Sequence, residues 1–293
     1  VGRLQAGATA LTPRVRPTAS DLLDGAQRER LRKRLELWLK DHIARCLKPL
    51  FQLREAELSG PARGIAFQAV ESLGTVPRRA VAKQIAALTR SERKALAALG
   101  VRLGRACVYL PALASQRATR LRTLLWLVHQ GRSFGREAPV MAPGPASAIP
   151  VAEVADWLAE AEVSTGNGTT GRDLVEGFCR AIGYHRPGRA AFALPADALE
   201  RLARQAHKLS AQGAFTASDA LRRAGGCGDE ELAAILPELG FKVDPTASEL
   251  SFLPHAGPRR GKRKGARAKT ARKRSDKGKE SPFSKLLDLT NPT

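Results

Sequence analysis

Cysteine and histidine, the residue types most often used for metal binding and nucleophilic catalysis, are scattered along this chain. The sequence holds four cysteines and five histidines, and no two cysteines have C-x-x-C spacing. A structural zinc site needs closely spaced ligand pairs, because a short loop must bring two donors to one metal ion. We therefore predict reduced thiols, ordinary histidines and no metal or other cofactor in this chain. The residues concerned are Cys46, Cys107, Cys179, Cys227, His42, His129, His185, His207 and His255.

Motifs for phosphate transfer and hydrolysis are also missing from the sequence. There is no G-x-x-x-x-G-K-[ST] loop and no D-E-x-H or D-E-x-D motif. The Gly-rich stretch STGNGTTG (164–171) lacks the lysine of a phosphate-binding loop and is predicted to be an ordinary loop. No Ser/His/Asp, Cys/His or paired-carboxylate arrangement stands out, although such sites can be assembled from distant residues. An enzyme is therefore the least favoured of three function classes.

Basic side chains give the strongest chemical signal. The formal net charge is +21, and it divides into +15 over residues 1–130, −4 over 131–258 and +10 over 259–293. Such fields attract polyanions and release counterions when they bind phosphate. A membrane surface is the competing polyanion, but it usually requires a lipid anchor or a helix with bulky insertion residues, and we identify no such anchor. We therefore expect RNA or DNA, preferably single-stranded, as the partner, and no membrane.

Two clusters supply the candidate nucleic-acid-binding residues. The stretch 259–279 has twelve basic residues, one acidic residue and no aromatic residue, so we predict a disordered arm that binds polyanions without sequence preference. The second cluster lies near the start of a predicted helix at 115–129, where acidic residues are usually preferred. The candidates are Arg259, Arg260, Lys262, Arg263, Lys264, Arg267, Lys269, Arg272, Lys273, Arg274, Arg117, Arg120 and Arg122.

Helical periodicity dominates the elements that must position these residues. Apolar residues recur at spacings of three and four from about Asp24 to Phe51, with basic residues largely off that stripe. Thr89 and Glu92 have the spacing of a capping box. Residues 101–110 are β-branched and aromatic around a glycine, which predicts a small hairpin. Further helices are predicted at about 61–73, 78–88, 89–100, 115–129, 151–161, 174–182 and 196–210.

The fold class predicted is mainly α, with two small helical domains, a minor β-hairpin and a disordered basic tail. Residues 216–243 indicate a helix-turn-helix or winged-helix-like unit. Its second helix, Asp229–Leu239, begins with three acidic residues, which favours packing or protein contact over a DNA groove. The predicted divisions are an irregular leader (1–20), a basic helical domain (21–130), a Pro-rich linker (131–150), a second helical domain (151–257) and the tail (258–293).

The first residue is Val1 and the only methionine is Met141, so we expect a fragment of a longer protein. No signal-peptide pattern and no apolar stretch of about 20 residues is present. These observations favour a cytoplasmic protein.

Several segments resemble one helicase family. The stretches LSGPARGIAFQAVESLG (58–74), GVRLGRACVYLPALA (100–114) and RLRTLLWLVHQG (120–131) resemble the C-terminal region of alphaproteobacterial superfamily-2 helicases, which are related to the mitochondrial degradosome RNA helicase. The resemblance covers nearly the whole chain, including 13–50, 199–209, 226–241 and the closing basic tail.

This resemblance implies an ATP- and Mg²⁺-dependent motor of two RecA-like domains upstream of Val1. None of the family's catalytic residues can be placed in this sequence, so the chain is expected to be accessory. Our first hypothesis is a non-catalytic, sequence-independent nucleic-acid-binding region that packs beside the motor and guides the strand. The alternative is a stand-alone helix-turn-helix DNA-binding or transcription-related protein, which would have a sequence-specific site.

Overall fold

Helices make up most of the described chain, as predicted, and the β-structure consists of small sheets of two or three strands. The computed structural model describes residues 2–18, 24–131, 148–161, 163, 170–247 and 249–254. Most of the Pro-rich linker, most of the loop at 164–171 and all of the predicted tail lie outside these ranges. What the sequence predicts for those segments stays a prediction.

The N-terminal segment is more regular than the sequence suggested. The predicted irregular leader contains two antiparallel strands, β1 (Gly2–Gln5) and β2 (Arg14–Pro17). The single helix predicted after it is divided into α1 (Gly25–Cys46) and α2 (Lys48–Glu55). Pro49 explains the division, because it has no N–H to donate and its ring clashes with the carbonyl one turn earlier.

A first unit of six main elements follows. The helix α3 leads to a short strand, a pair of helices and a hairpin, and the strand pairs antiparallel with the last strand of that hairpin. This is the element order of a winged helix, and it contains the hairpin predicted at 101–110. The elements are α3 (Gly60–Glu71), β3 (Thr75–Pro77), α4 (Ala82–Ala87), α5 (Arg90–Ala98), β4 (Arg102–Leu103) and β5 (Cys107–Tyr109).

A second unit repeats this order. It begins with a longer helix, and its first strand again pairs with the last strand of the hairpin, giving the sheet order β6-β8-β7. The elements are α6 (Gln116–His129), β6 (Ile149–Pro150), α7 (Val151–Glu160), α8 (Gly171–Ile182), β7 (Tyr184–His185) and β8 (Phe192–Pro195).

The third unit has the same arrangement, so the winged-helix-like prediction for the C-terminal part is confirmed. Its sheet order is β10-β11-β9, which again pairs the first strand with the last. The described chain therefore contains this topology three times in succession. The elements are α9 (Ala196–Ser210), β9 (Phe215–Thr216), α10 (Asp219–Gly225), α11 (Asp229–Ile235), β10 (Phe241–Val243) and β11 (Ser251–Pro254).

A glycine stands at the entry to each hairpin. Gly100, Gly183 and Gly240 have φ angles of +82°, +89° and +95°, a region that residues with a Cβ rarely adopt. Each hairpin then ends in a Leu-Pro pair, at 110–111, 194–195 and 253–254. The glycine before each hairpin and the Leu-Pro pair after it are thus sequence features that recur in all three units.

Two hydrophobic cores hold the units. One runs from the N-terminal strands through the first two units and includes Leu50, Leu125 and Phe178. The other lies in the third unit around Leu202 and Phe252. Residues on both sides of the predicted linker therefore share the first core. No helix in the described ranges has the length and apolar character needed to cross a membrane.

Candidate nucleic-acid interface

The predicted site residues are found in three different situations. The ten basic candidates from Arg259 to Arg274 lie outside the described part of the chain. Arg117 and Arg120 are exposed on the first turns of α6, as a phosphate contact would require. Arg122, only two residues further on, is 2% exposed.

Arg122 must therefore be removed from the predicted cluster. Its guanidinium donates to three backbone carbonyl oxygens, at 3.2 Å to Leu73, 2.8 Å to Leu113 and 3.3 Å to Ile182. Leu73 follows α3 in the first unit, Leu113 lies in the turn before α6, and Ile182 ends α8 in the second unit. The Arg122 side chain therefore joins the first two units. Burial lowers the pKa of Arg122 to about 10, which leaves it charged at neutral pH. The sequence did hold a signal, because Ala118, Arg122 and Leu125 share one buried stripe of α6.

A basic surface that the sequence analysis did not single out lies on the first unit. The second helix of its helix pair, α5, exposes Arg90, Arg93 and Lys94. In winged-helix and helix-turn-helix proteins this helix is the one that enters a DNA groove. The sequence feature that could have revealed this surface was the hairpin predicted at 101–110, directly after α5. A helix pair followed by a hairpin is the winged-helix-like pattern, which the sequence analysis recognised only at 216–243.

The local sequence orients α5 well. Thr89 and Glu92 form the predicted capping box: the Glu92 carboxylate accepts from the Thr89 amide at 2.8 Å, and the Thr89 hydroxyl accepts from the Glu92 amide at 3.3 Å. The Thr89 amide and the Thr89 hydroxyl both donate to the Glu92 carboxylate, at 2.8 and 2.7 Å, and so lower its pKa. Arg93 donates to the Ile85 carbonyl and so ties α5 to α4. Arg90 and Lys94, one turn apart, then remain exposed on the same face.

The rest of the first unit's surface has the same sign. Only two acidic residues, Glu71 and Glu92, occur between 60 and 113. Glu92 keeps its negative charge in the cap, but the exposed cations outnumber these two carboxylates; Arg79 also pairs with Glu176 of α8 at 3.4 Å. The exposed basic residues of the unit are Arg63, Arg79, Lys83, Arg90, Arg93, Lys94, Arg102 and Arg105.

The hairpin of the first unit is held by a buried carboxylate from the third. Glu200 on α9 is 3% exposed. It accepts from three successive backbone amides, at 2.7 Å from Arg105, 2.7 Å from Ala106 and 3.0 Å from Cys107. A Cβ at Gly104 would collide with this carboxylate, which explains the glycine there. Burial and the nearby Glu200 raise the pKa of the Cys107 thiol. The exposed Arg102 and Arg105 are thus carried on a fixed hairpin.

The corresponding helix of the third unit has the opposite charge. Residues Asp229, Glu230 and Glu231 form the first turn of α11, as the sequence analysis noted. Arg222 on α10 forms a two-pronged ion pair with Asp229, at 2.7 and 3.1 Å, and this lowers the pKa of that carboxylate. The same arginine contacts Asp219 at 2.8 Å, so its charge is used within the unit. Phosphate would be repelled from this surface.

The described ranges were compared with the ligand arrangement that a metal ion needs. They hold no group of three or more His, Cys, Asp or Glu residues arranged for a metal ion. His185, in the hairpin of the second unit, is buried, and burial is the main cause that lowers its pKa to about 4. It is therefore a neutral interior residue at physiological pH.

Comparison with known proteins gave no relatives. A scan against family models, a search of curated proteins and a search of solved structures each found no match. The resemblance to helicases drawn from the sequence accordingly stays a prediction.

Proposed function

We propose that this chain is a non-catalytic nucleic-acid-binding region whose first unit contacts phosphate without reading sequence. The observation that carries the proposal is the exposed basic face of α5, with Arg90 and Lys94, at the position that faces DNA in helix-turn-helix proteins. The hairpin beside it adds Arg102 and Arg105.

Sequence independence is part of the proposal and rests on these cations contacting phosphate. Lysine and arginine contacts to phosphate fix position and orientation but carry no sequence information. The same side chains can read guanine in a major groove, whereas α5 has no Asn or Gln, the residues that usually read adenine. We therefore expect binding dominated by counterion release, with affinity that depends strongly on salt.

The wider role that we propose is that of an accessory region of an ATP-dependent RNA or DNA helicase. The support is the sequence resemblance, together with the separation of charge between the units. A basic first unit suits a strand leaving the motor, and the acidic α11 suits a contact with protein. ATP and Mg²⁺ would belong to the RecA-like motor and not to this chain.

Paired substitutions test the proposal. In fluorescence anisotropy with labelled oligonucleotides, Arg90→Ala combined with Lys94→Ala should weaken binding several-fold. Arg204→Ala combined with Lys208→Ala is the matched control, because these cations are also exposed and one turn apart on a helix, but in the third unit. Equal effects of the two pairs, or no effect of the first, would contradict the assignment of the surface.

The alternative is a sequence-specific DNA-binding protein, which the threefold winged-helix-like topology favours. Competition between oligonucleotides of unrelated sequence separates the two. Our proposal predicts affinities within a few-fold of each other. A site preferred by about 10³-fold or more would be typical of specific recognition and would support the alternative.

A further inference from the structure

An exposed aromatic side chain stands on the longest helix of the described chain. Trp38 on α1 is 57% exposed, an unusual position for the largest apolar side chain. Its ring stacks on His42, one turn further on, with 5.2 Å between the ring centroids and an interplanar angle of 17°. The two rings are stacked, and more than half of the Trp38 side chain is open to solvent.

Cations from three elements, α1, α2 and α6, lie near this pair. Trp38 lines a surface depression together with Asp41, Ala44, Arg45 and Lys48. From the start of α6, Arg117 approaches the His42 ring closely enough for its charge, after burial and together with that of Arg45, to lower the pKa of the imidazole. Because the pKa of His42 is lowered from an ordinary value that is already below physiological pH, its imidazole is neutral at that pH and does not repel these arginines. Asp41 is the one acidic residue lining the depression.

Trp38 differs from the other two tryptophans in having most of its side chain outside the hydrophobic core. The chain's other two tryptophans make aromatic contacts inside the fold, since Trp126 and Trp157 both pack on Phe178. Trp38 instead lines two surface depressions, an apolar groove that it shares with Leu35 and Leu121 and the cationic depression. A flat aromatic surface flanked by arginine and lysine is the arrangement with which proteins bind unpaired bases.

We propose that Trp38, supported by His42, stacks an unpaired base of a single strand while Arg45, Lys48 and Arg117 hold its neighbouring phosphates. The proposal rests on the nucleic-acid-binding function and specifies its ligand as single-stranded. In a duplex each base is already stacked and paired, so its face is not available to Trp38. Single strands should therefore bind more tightly than duplexes of the same sequence.

The test uses the full 293-residue chain and two probes. One is an oligothymidine about eight nucleotides long, within the range of known single-strand sites; the other has the same backbone but no bases. Trp38→Ala should weaken oligothymidine binding roughly 5- to 150-fold, the range for loss of one stacked base. Trp38→Phe should restore much of the affinity. Oligothymidine should also quench tryptophan fluorescence in the wild type and less so in Trp38→Phe.

The neighbouring Leu37 supplies the control, because it is 55% exposed on the same helix and lies about 100° around the helix axis from Trp38. Leu37→Ala should bind oligothymidine as the wild type does, and Trp38→Ala should bind the abasic probe as the wild type does. If Trp38→Ala leaves oligothymidine binding unchanged, Trp38 is not a base platform, and its exposed face is then better explained by a protein partner. If the wild type binds neither probe in dilute buffer, the nucleic-acid-binding function itself is wrong.

Discussion

Replacing Arg122 by methionine should destabilise the fold without touching the proposed binding surface. Methionine keeps much of the side chain's length but removes all three hydrogen bonds to the carbonyls of Leu73, Leu113 and Ile182. Hydrogen bonds to a charged group contribute about 1.5–3 kcal/mol each. In the wild type, the stabilisation by these hydrogen bonds is partly offset by the cost of burying the guanidinium. It is also reduced by the Arg122 Nε, which has no hydrogen-bond partner among the described residues. We expect a net loss of about 3 kcal/mol in the free energy of unfolding.

Thermal unfolding followed by circular dichroism measures this loss. For a chain of this size about 3 kcal/mol corresponds to a fall of roughly 6–12 °C in Tm. Arg120→Met is the matched control, since Arg120 is exposed on the same helix, and it should change stability by less than about 0.5 kcal/mol. An Arg122→Met protein as stable as the wild type would refute the view that this arginine fastens the first two units together.

Two further stability predictions concern buried groups. Because the folded-state pKa of His185 is about 4, below the usual 6.5, the unfolded chain binds the extra proton as pH falls through that window. The wild type should therefore lose about 3 kcal/mol relative to His185→Gln between pH 6.5 and 4, and parallel curves in pH-dependent denaturation would contradict this. Glu200→Ala leaves three backbone amides, one buried and two part-buried, without this acceptor and should cost about 3 kcal/mol, whereas the exposed Glu230→Ala should cost little. Equal effects in urea unfolding would argue against the role of Glu200 in holding the hairpin.

Local sequence patterns predicted most of the helices and one unit of the fold, but not the division between α1 and α2. The spacing of apolar residues predicted α9, the capping box at Thr89 predicted the start of α5, and the pattern of residues 216–243 indicated the third helix pair. These features depend on neighbours within about one turn. These predictions agree with the structure because each depends only on residues that are close in sequence.

The repetition was missed because the units differ in the parts that are easiest to recognise. The helix before the capping box, α4, has only six residues, and the segment between α6 and β6 was treated as a linker between domains. The shared features are a glycine at each hairpin entry, such as Gly100, and a closing Leu-Pro pair. Single residues at irregular intervals do not form a recognisable period.

Distant contacts explain the errors in the site. Arg122 was grouped with Arg117 and Arg120 because they adjoin in sequence, although a helix turns successive residues to different faces. The carboxylate of Glu200 meets the amide of Arg105 across 95 residues, which no local pattern indicates. Trp38 falls within the apolar stripe predicted from about Asp24 to Phe51, and only the structure shows that its side chain is exposed.

Salt titration of oligonucleotide binding tests the central claim most directly. If exposed cations of the first unit pair with phosphates, the logarithm of the association constant should fall linearly with the logarithm of the salt concentration. Removing Arg90 and Lys94 should reduce that slope by about 1.4, at about 0.7 per phosphate contact on a single strand, and removing Arg204 and Lys208 should leave it unchanged. A slope that the first pair does not alter would show that phosphate is not bound at α5, and an affinity independent of salt would contradict phosphate binding altogether.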